Sequence, residues 1–152
     1  MILGVIPARL NSTRFPSKVI FPLKGKPIIE HVYEKALQSN LLNKVIVAVD
    51  SEETKNVINC QNIIMTSDKH QSGTDRVAEV ANNFNCDIVV NIQGDEPGID
   101  PLLIDKLIQL FEDPDVEMAS IASTDLKEDD LNNDNVVTVS YTHLRAHETL
   151  TD

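Results

Sequence analysis

Three polar stretches of this 152-residue sequence carry residue types suited to phosphate chemistry. The clearest is QGDEP at 93–97, which directly follows a buried apolar run. Gly94 permits a tight bend and leaves room for a ligand. The carboxylate of Asp95 can hold Mg²⁺, a hard cation that takes one or two carboxylates together with phosphate oxygens and water. The alternative is that Asp95 and Glu96 form an acidic turn that caps the next helix.

A basic loop follows the first apolar run of the chain. Residues 2–6 predict a short buried strand that Pro7 ends. Arg9, Arg14 and Lys18 follow, with small hydrogen-bonding residues between them. Such a loop suits a polyphosphate, because phosphate needs charge-assisted donors and close backbone approach. Its position after a central strand favours this hypothesis, since open α/β sheets bind ligands there. The alternative is a solvated surface loop with scattered charge.

The third stretch is SDKHQSGTDR at 67–76. Gly73 and its flanking hydroxyls could lie against a flat base or a sugar. Arg76 could pair with a substrate carboxylate in the bidentate geometry that lysine makes poorly. The alternative is a helix cap, with Ser72 or Thr74 at the N-cap and Arg76 solvated, and both interpretations can hold together.

Two familiar nucleotide signatures, G-x-x-x-x-G-K-[ST] and G-x-G-x-x-G, are absent from the sequence. We expect a different arrangement. A metal at Asp95 would bridge the phosphates gripped by Arg9, Arg14 and Lys18, and would neutralise charge as a phosphodiester bond is exchanged.

The elements that must position these loops alternate between strand and helix. Apolar runs predict further strands at 44–49, 63–66, 87–92 and 118–124, and an extended piece at 19–23. Periodicity and capping residues predict helices at 27–39, at 51–59, from 77 onward and at 100–111. This alternation predicts an α/β fold with a mostly parallel sheet flanked by helices on both faces.

Bulk composition narrows the class of protein. The length predicts one domain, and a net charge of −11 argues against nucleic acid as a partner. Cys60 and Cys86 lack metal-type spacing, which indicates small buried thiols in a reducing compartment. The sequence shows no signal peptide and no apolar run long enough to span a membrane, so we expect a cytoplasmic location without a membrane partner.

The last residues, VSYTHLRAHETLTD at 139–152, interrupt a β pattern that has just begun. They resemble the translation of a sequencing adapter, so we expect a non-native tail there and a native part at 1–138. A metal cluster of His143, His147 and Glu148 is given little weight for the same reason.

Four segments together carry a family resemblance: IPARLNSTRFPSK, GKPIIEHVYEKA, SDKHQSGTDRVAEV and NIQGDEP. They closely resemble the 3-deoxy-manno-octulosonate (KDO) cytidylyltransferases over residues 2–137. The resemblance implies a Rossmann-like nucleotide-diphospho-sugar transferase fold. It also implies transfer of CMP from CTP to the anomeric hydroxyl of KDO, with release of pyrophosphate, for lipopolysaccharide synthesis.

The resemblance also implies roles for individual residues. The nucleotide would be bound by Ala8, Arg9, Arg14, Lys18, Ser72 and Gly73. Arg76 and Gln93 would reach KDO, Asp95 would ligate Mg²⁺, and the catalytic groups would be Lys18, Arg9 and Asp95. One departure is Ser17-Lys18-Val19, where the family usually has Gly-Lys-Pro.

The resemblance implies that the family's second metal-binding aspartate, further KDO contacts and much of the dimer surface lie in a C-terminal half, which we expect this chain to lack. We therefore expect a homodimer for the full-length form, and weak CTP binding without turnover for this fragment. The alternatives are a CMP-sialate synthetase, another sugar nucleotidyltransferase, or a nucleotide-binding domain without chemistry.

Overall fold

The computed structural model of the chain describes residues 1–9 and 18–121. Six strands are described, in chain order β1 (Ile2–Ala8), β2 (Pro22–Leu23), β3 (Lys26–Pro27), β4 (Lys44–Val49), β5 (Ile63–Met65) and β6 (Ile88–Asn91). Four α-helices are described, α1 (Ile28–Ala36), α2 (Glu52–Val57), α3 (Gly73–Ala81) and α4 (Pro101–Gln109). The predicted elements between residues 27 and 111 are thereby confirmed, with ends shifted by a few residues.

The central sheet is parallel, with the strand order β5-β4-β1-β6. Helices cover both of its faces. Ile6 of β1 belongs to a cluster that includes Ile29 of α1 and Ile104 of α4, whereas Val5 belongs to a second cluster with Val77 of α3. Successive strand residues point to opposite faces, so a strand buried on both sides must be apolar throughout. The predicted fold class is confirmed.

The chain divides into two compact units, Met1–Ile108 and Gln109–Asp152. The sheet belongs to the first unit. In the second unit the description covers residues 109–121, which include a 3₁₀ turn at Leu110–Glu112. The predicted strand at 118–124 is wrong for 118–121, which are irregular. Met118 is 73% exposed, so the burial that normally favours a strand is missing.

Pro7 does not end the first strand, contrary to the sequence prediction. β1 continues to Ala8, and Pro7 pairs with Ala48 of β4. The Val5 carbonyl accepts from Ile92 on the β6 side, and alternation directs the Pro7 backbone toward that same side. The ladder between β1 and β6 already ends at Val5, so the missing N–H of Pro7 costs no ladder hydrogen bond.

The segment predicted as extended at 19–23 is only partly so. Lys18–Ile20 form a 3₁₀ turn that buries Val19, and the extended backbone is confined to β2. β2 and β3 form a hairpin whose two turn residues, Lys24 and Gly25, both have positive φ, of 49° and 88°. Such a turn matches the right-handed twist of the strands.

The side chain of Asp105 joins α4 to the loop that follows α1. Its carboxylate accepts hydrogen bonds from Ser39 Oγ, from the backbone and side-chain N–H groups of Asn40 (both 3.1 Å) and from the backbone of Leu41 (3.2 Å). Burial alone raises the pKa of Asp105, but these donors outweigh it and leave the pKa below the ordinary value. The carboxylate therefore stabilises the folded chain as an anion.

The described helices include none that is both long and apolar enough to cross a membrane. Both cysteines are free. Cys60 is buried as predicted, whereas Cys86, also predicted to be buried, is only partly so. Burial raises the pKa of the Cys60 thiol to about 12, which makes it an inert core residue.

Candidate active site

The predicted site residues collect at the carboxyl ends of β1 and β6. The chain runs from β1 to β4 and β5 on one side of the sheet and returns to the other side of β1 with β6. The order of strands thus reverses between β1 and β6, and loops on either side of this point diverge and leave a crevice where open α/β sheets bind ligands. Arg9 follows β1 at this edge, and Gln93 and Asp95 follow β6.

Lys18 and Asp95 meet directly, although 77 residues separate them in sequence. Lys18 Nζ lies 2.7 Å from Asp95 Oδ2. Both side chains remain accessible, with 45% of Lys18 and 41% of Asp95 exposed. The cation that was predicted to bind phosphate therefore lies in direct contact with the carboxylate that was predicted to bind a metal.

Gly94 sets the path of the QGDEP loop. A Cβ at this residue would lie 3.0 Å from the Pro7 carbonyl oxygen, and 3.4 Å from Ile6 Cγ2. Only a residue without a side chain lets the backbone pass this close to β1. The bend predicted at Gly94 is present, and it brings Asp95 toward the end of the central strand.

Ala8 and Arg9 mark the end of β1. Ala8 is fully buried. Arg9 is exposed, and its Nη1 donates to the carbonyl oxygen of Gln71 at 3.3 Å. The start of the basic loop is thereby linked to the loop before α3. Arg14 lies outside the described residues, so its place in the site stays a prediction.

Ser72 caps α3, one of the two interpretations that the sequence left open. Ser72 Oγ accepts from the Asp75 backbone N–H at 3.1 Å, and Asp75 Oδ2 accepts from the Ser72 backbone at 3.1 Å. The Ser72 hydroxyl and then its backbone N–H lower the pKa of Asp75. This capping box fixes the entry into α3. A Cβ on Gly73 would lie 3.3 Å from Pro7 Cγ, so Gly73 also lies close to the end of β1.

Arg76 is buried, so the alternative in which its side chain is solvated is wrong. Only 1% of it is exposed, and its guanidinium donates to Asp50, Thr66 and the carbonyl oxygen of Ser67. Gln93, its predicted partner in binding KDO, is exposed. Contact of either residue with a sugar stays a prediction.

A second cluster fixes the start of the loop before α3. Glu79 Oε2 accepts from the Ser67 backbone N–H at 3.0 Å and pairs with His70 Nε2. The Ser67 N–H and then His70 lower the pKa of Glu79. His70 is thus a hydrogen-bonding loop residue.

Three further residues of this region were not predicted from the sequence, namely Asp50, Gln71 and Glu79. For Asp50 a signal was available, because it follows a buried strand in the same way as the QGDEP loop does. The Gln71 contact uses a backbone carbonyl, which residue type does not reveal. Glu79 lies one turn after Asp75 on α3. The other residues of this helix already accounted for its helical pattern, so the sequence did not single out Glu79.

The donor set fits a metal that arrives with phosphate better than one held by protein alone. The described part of the chain contains no group of three His, Cys, Asp or Glu side chains suited to a metal ion. A single accessible carboxylate, Asp95, stands beside a phosphate-type cation. Mg²⁺ commonly binds through one or two carboxylates, with substrate phosphates and water completing its octahedron.

A parallel sheet with a crevice at its switch point is typical of proteins that bind nucleotides. The chain belongs to the cytidylyltransferase family, since the family model described as "Cytidylyltransferase" matches residues 3–148.

Curated relatives show which cytidylyltransferases this chain resembles. The chain is 46% identical over 125 residues to the 3-deoxy-manno-octulosonate cytidylyltransferase of Trichlorobacter lovleyi, covering 80% of this chain and 50% of that protein. It is 43% identical over 141 residues to the protein of the same name from Geobacter metallireducens, covering 91% and 56%. The chain thus spans about half the length of the curated relatives it matches.

A solved structure agrees in fold and sequence. The structure of CMP:2-keto-3-deoxy-manno-octonic acid synthetase complexed with CTP matches with a TM-score of 0.72 and 42% identity, covering 76% of this chain and 49% of that one. The resemblance to the KDO cytidylyltransferases inferred from the sequence is confirmed.

Proposed function

We propose that this chain supplies the nucleotide-binding half of an enzyme that transfers CMP from CTP to KDO, releasing pyrophosphate. The observation that carries the proposal is the meeting of Lys18 Nζ and Asp95 Oδ2 at 2.7 Å, at the switch point of the sheet. The names of the relatives and the CTP of the similar structure support the choice of nucleotide and sugar acid.

The reaction follows from the charges at the site. The anomeric hydroxyl of KDO attacks the α-phosphorus of CTP in line with the bond to the β-phosphate. An oxygen–phosphorus bond forms, the bond to the bridging oxygen breaks, and the hydroxyl proton passes to solvent. Lys18 and Arg9 hold the triphosphate and stabilise the negative charge that develops on its oxygens. Phosphoryl transfer of this kind needs positioning and charge, without a covalent enzyme intermediate.

Asp95 is the residue that would hold Mg²⁺. When bound, the metal would neutralise phosphate charge as the α–β bond breaks. Ser72 and Gly73 would lie by the cytidine, and Gln93 would reach KDO from the same loop as Asp95. We further propose that the full-length protein acts in the cytoplasm, because its proposed substrate CTP is a cytoplasmic metabolite. We propose from the family resemblance that it is a homodimer and that it supplies lipopolysaccharide synthesis.

The decisive experiment measures pyrophosphate release from CTP and Mg²⁺ with and without KDO. It compares this chain with a full-length protein recovered from genomic DNA, in which residues 1–138 would be followed by a C-terminal half like that of the relatives. KDO-dependent release by the longer protein is expected. An Asp95→Asn variant of the longer protein should bind CTP and release little pyrophosphate.

Sialic acid, offered in place of KDO, tests the neighbouring activity. Release with sialic acid alone would assign the chain to CMP-sialate synthesis. No release with either sugar acid, combined with CTP binding, would leave a nucleotide-binding domain without chemistry and overturn the proposal.

A further inference from the structure

Arg76 is the one charged residue among the largest fully buried side chains of the described chain. It lies in the first turn of α3, three residues beyond Gly73, and it shares the inward face of the helix with Val77 and Val80. A guanidinium removed from water is costly unless other groups neutralise it and accept its hydrogen bonds. The groups that accept its hydrogen bonds therefore indicate which parts of the fold the buried Arg76 holds together.

Those partners lie at the ends of two strands. Arg76 Nη2 donates to Asp50 Oδ2 at 3.2 Å, and Asp50 directly follows β4. Arg76 Nη1 donates to Thr66 Oγ1, and Thr66 directly follows β5. The Thr66 hydroxyl in turn donates to the Val49 carbonyl oxygen at 2.9 Å. One side chain from α3 thus ties together the carboxyl ends of β4 and β5.

The same guanidinium also fixes the loop that leads into α3. Its Nη1 donates to the Ser67 carbonyl oxygen at 3.2 Å, at the start of the loop. At the other end Gln71 accepts from Arg9, and the capping box holds Ser72. The backbone from Ser67 to Gly73 is therefore anchored to α3 at its start and meets the basic loop at its end.

We propose that Arg76 is a positioning residue that acts through Asp50 and Thr66 to hold the loop at 67–73 in the geometry needed for the nucleotide. Arg76 then affects CTP binding by fixing this loop, and it does not contact the sugar acid directly. The inference deepens the proposed function and rests on it for the nucleotide readout. A guanidinium is required because it presents donors to three partners from one rigid plane, whereas an ammonium presents a single point charge.

The test compares Arg76→Met, Arg76→Lys, Asp50→Asn and the double variant Arg76→Met with Asp50→Asn. Lys55→Met on α2 is the matched control, because it removes an exposed cation that pairs only weakly with Glu52, at 3.5 Å. Two quantities are measured in this chain, the Kd for CTP with Mg²⁺ by calorimetry and the amide hydrogen exchange of residues 67–73. The KM values for KDO and CTP are measured in the full-length protein.

Arg76→Met and Asp50→Asn should each weaken CTP binding about tenfold and speed exchange at the same amides. The double variant should be no worse than either single variant, because both substitutions break one unit. Arg76→Lys should recover part of the effect, and Lys55→Met should change neither quantity. Asp50→Asn keeps the shape of its side chain, and it carries the test where Arg76→Met does not fold.

Unchanged exchange at 67–73 in both single variants would overturn the proposal. So would an Arg76→Met variant that binds CTP normally and raises only the KM for KDO, since that result would show direct contact with the sugar acid. The exchange measurement needs no ligand. It decides the positioning role even where the unsubstituted chain binds no CTP, which would be a failure of the proposed function alone.

Discussion

Lys18 Nζ lies 2.7 Å from Oδ2 of Asp95, the carboxylate proposed to hold Mg²⁺. An ammonium and a divalent cation at one carboxylate repel each other, so we expect Lys18 to weaken Mg²⁺ binding at Asp95 when no phosphate is bound. On the proposed function, bound CTP would offer Lys18 further anionic partners in its triphosphate and would free Asp95 for the metal. We therefore expect metal binding and nucleotide binding to be coupled through this pair.

Replacing Lys18 with Met tests this coupling. We expect CTP binding to weaken about 10- to 100-fold, the range for losing a hydrogen bond to a charged group. Binding of Mg²⁺ without nucleotide should strengthen, because Asp95 no longer has a competing cation. Calorimetry with Mg²⁺ alone and with CTP measures both. Lys26→Met is the control, since Lys26 on β3 also pairs with a carboxylate, that of Glu34 on α1. Weaker Mg²⁺ binding in Lys18→Met would contradict the competition.

Replacing Asp95 with Asn should separate nucleotide binding from its dependence on metal. The amide keeps the size of the side chain and removes its negative charge. CTP binding without Mg²⁺ should be equal or tighter, and the gain in CTP affinity that Mg²⁺ brings should fall about tenfold or more. A titration of CTP at several Mg²⁺ concentrations measures this. Glu96→Gln serves as the neighbouring control. An equal loss of metal dependence in that variant would contradict a specific role of Asp95 in metal binding.

Gly94→Ala tests the close approach of the QGDEP loop to β1. The new methyl group would meet the Pro7 carbonyl oxygen at 3.0 Å, where backbone must shift on one side or the other. We expect a loss of about 1–3 kcal/mol in the free energy of unfolding, together with weaker CTP binding as Asp95 moves. Gly98→Ala is a matched control in the same loop, because no atom lies within 4 Å of its added Cβ. Similar losses in the two variants would show that the contact with Pro7 does not matter.

Asp105→Asn tests the link between α4 and the loop after α1. One oxygen of the carboxylate is replaced by an N–H donor that faces other donors, so we expect a loss of about 1–3 kcal/mol in unfolding free energy near neutral pH. The pKa of Asp105 is lower in the folded chain than in the unfolded chain. Its contribution is therefore complete above the unfolded pKa and is lost as the pH falls through the folded one.

The pH dependence provides the check on that prediction. Denaturant unfolding of the parent chain should lose stability on the acid side, and Asp105→Asn should show a shallower loss there. Glu53→Gln, at an exposed position of α2, should change stability by no more than about 0.5 kcal/mol. An acid limb as steep in Asp105→Asn as in the parent chain would show that another carboxyl is responsible.

The sequence predicted the sheet and the chemistry of its loops better than the contacts between them. β4 was predictable residue for residue, because a strand buried on both faces must be apolar throughout. The turn that buries Val19 was not, since a short apolar run such as the one at 19–21 is as compatible with an extended segment as with a 3₁₀ turn. Pro7 misled the strand prediction because only the sheet order shows that its missing N–H faces no partner.

Within the site, residue type indicated Lys18 and Asp95, but only the fold shows that they touch. Arg76 illustrates the opposite case. An arginine in a polar loop suggests solvent or substrate, and its burial depends on Asp50 and Thr66, which arrive from separate strands. Interactions between residues far apart in sequence leave no local pattern from which they could be predicted.

The order of the strands in the sheet also indicates the order in which they can associate during folding. Ile2 at the start of β1 bonds to Asn43, 41 residues away, and the preceding Met1 bonds to Asp87, 86 residues away. Closing the shorter loop costs less chain entropy, and β4 leaves the ribosome well before β6. We expect β1, β4 and β5 to associate first, with β6 joining the preformed edge last. Pulse-labelled hydrogen exchange during refolding would show this as protection of Val47 before Ile92. In that order Lys18 and Asp95 would meet only in the final step, so we expect the proposed nucleotide site to form only once β6 has joined the sheet.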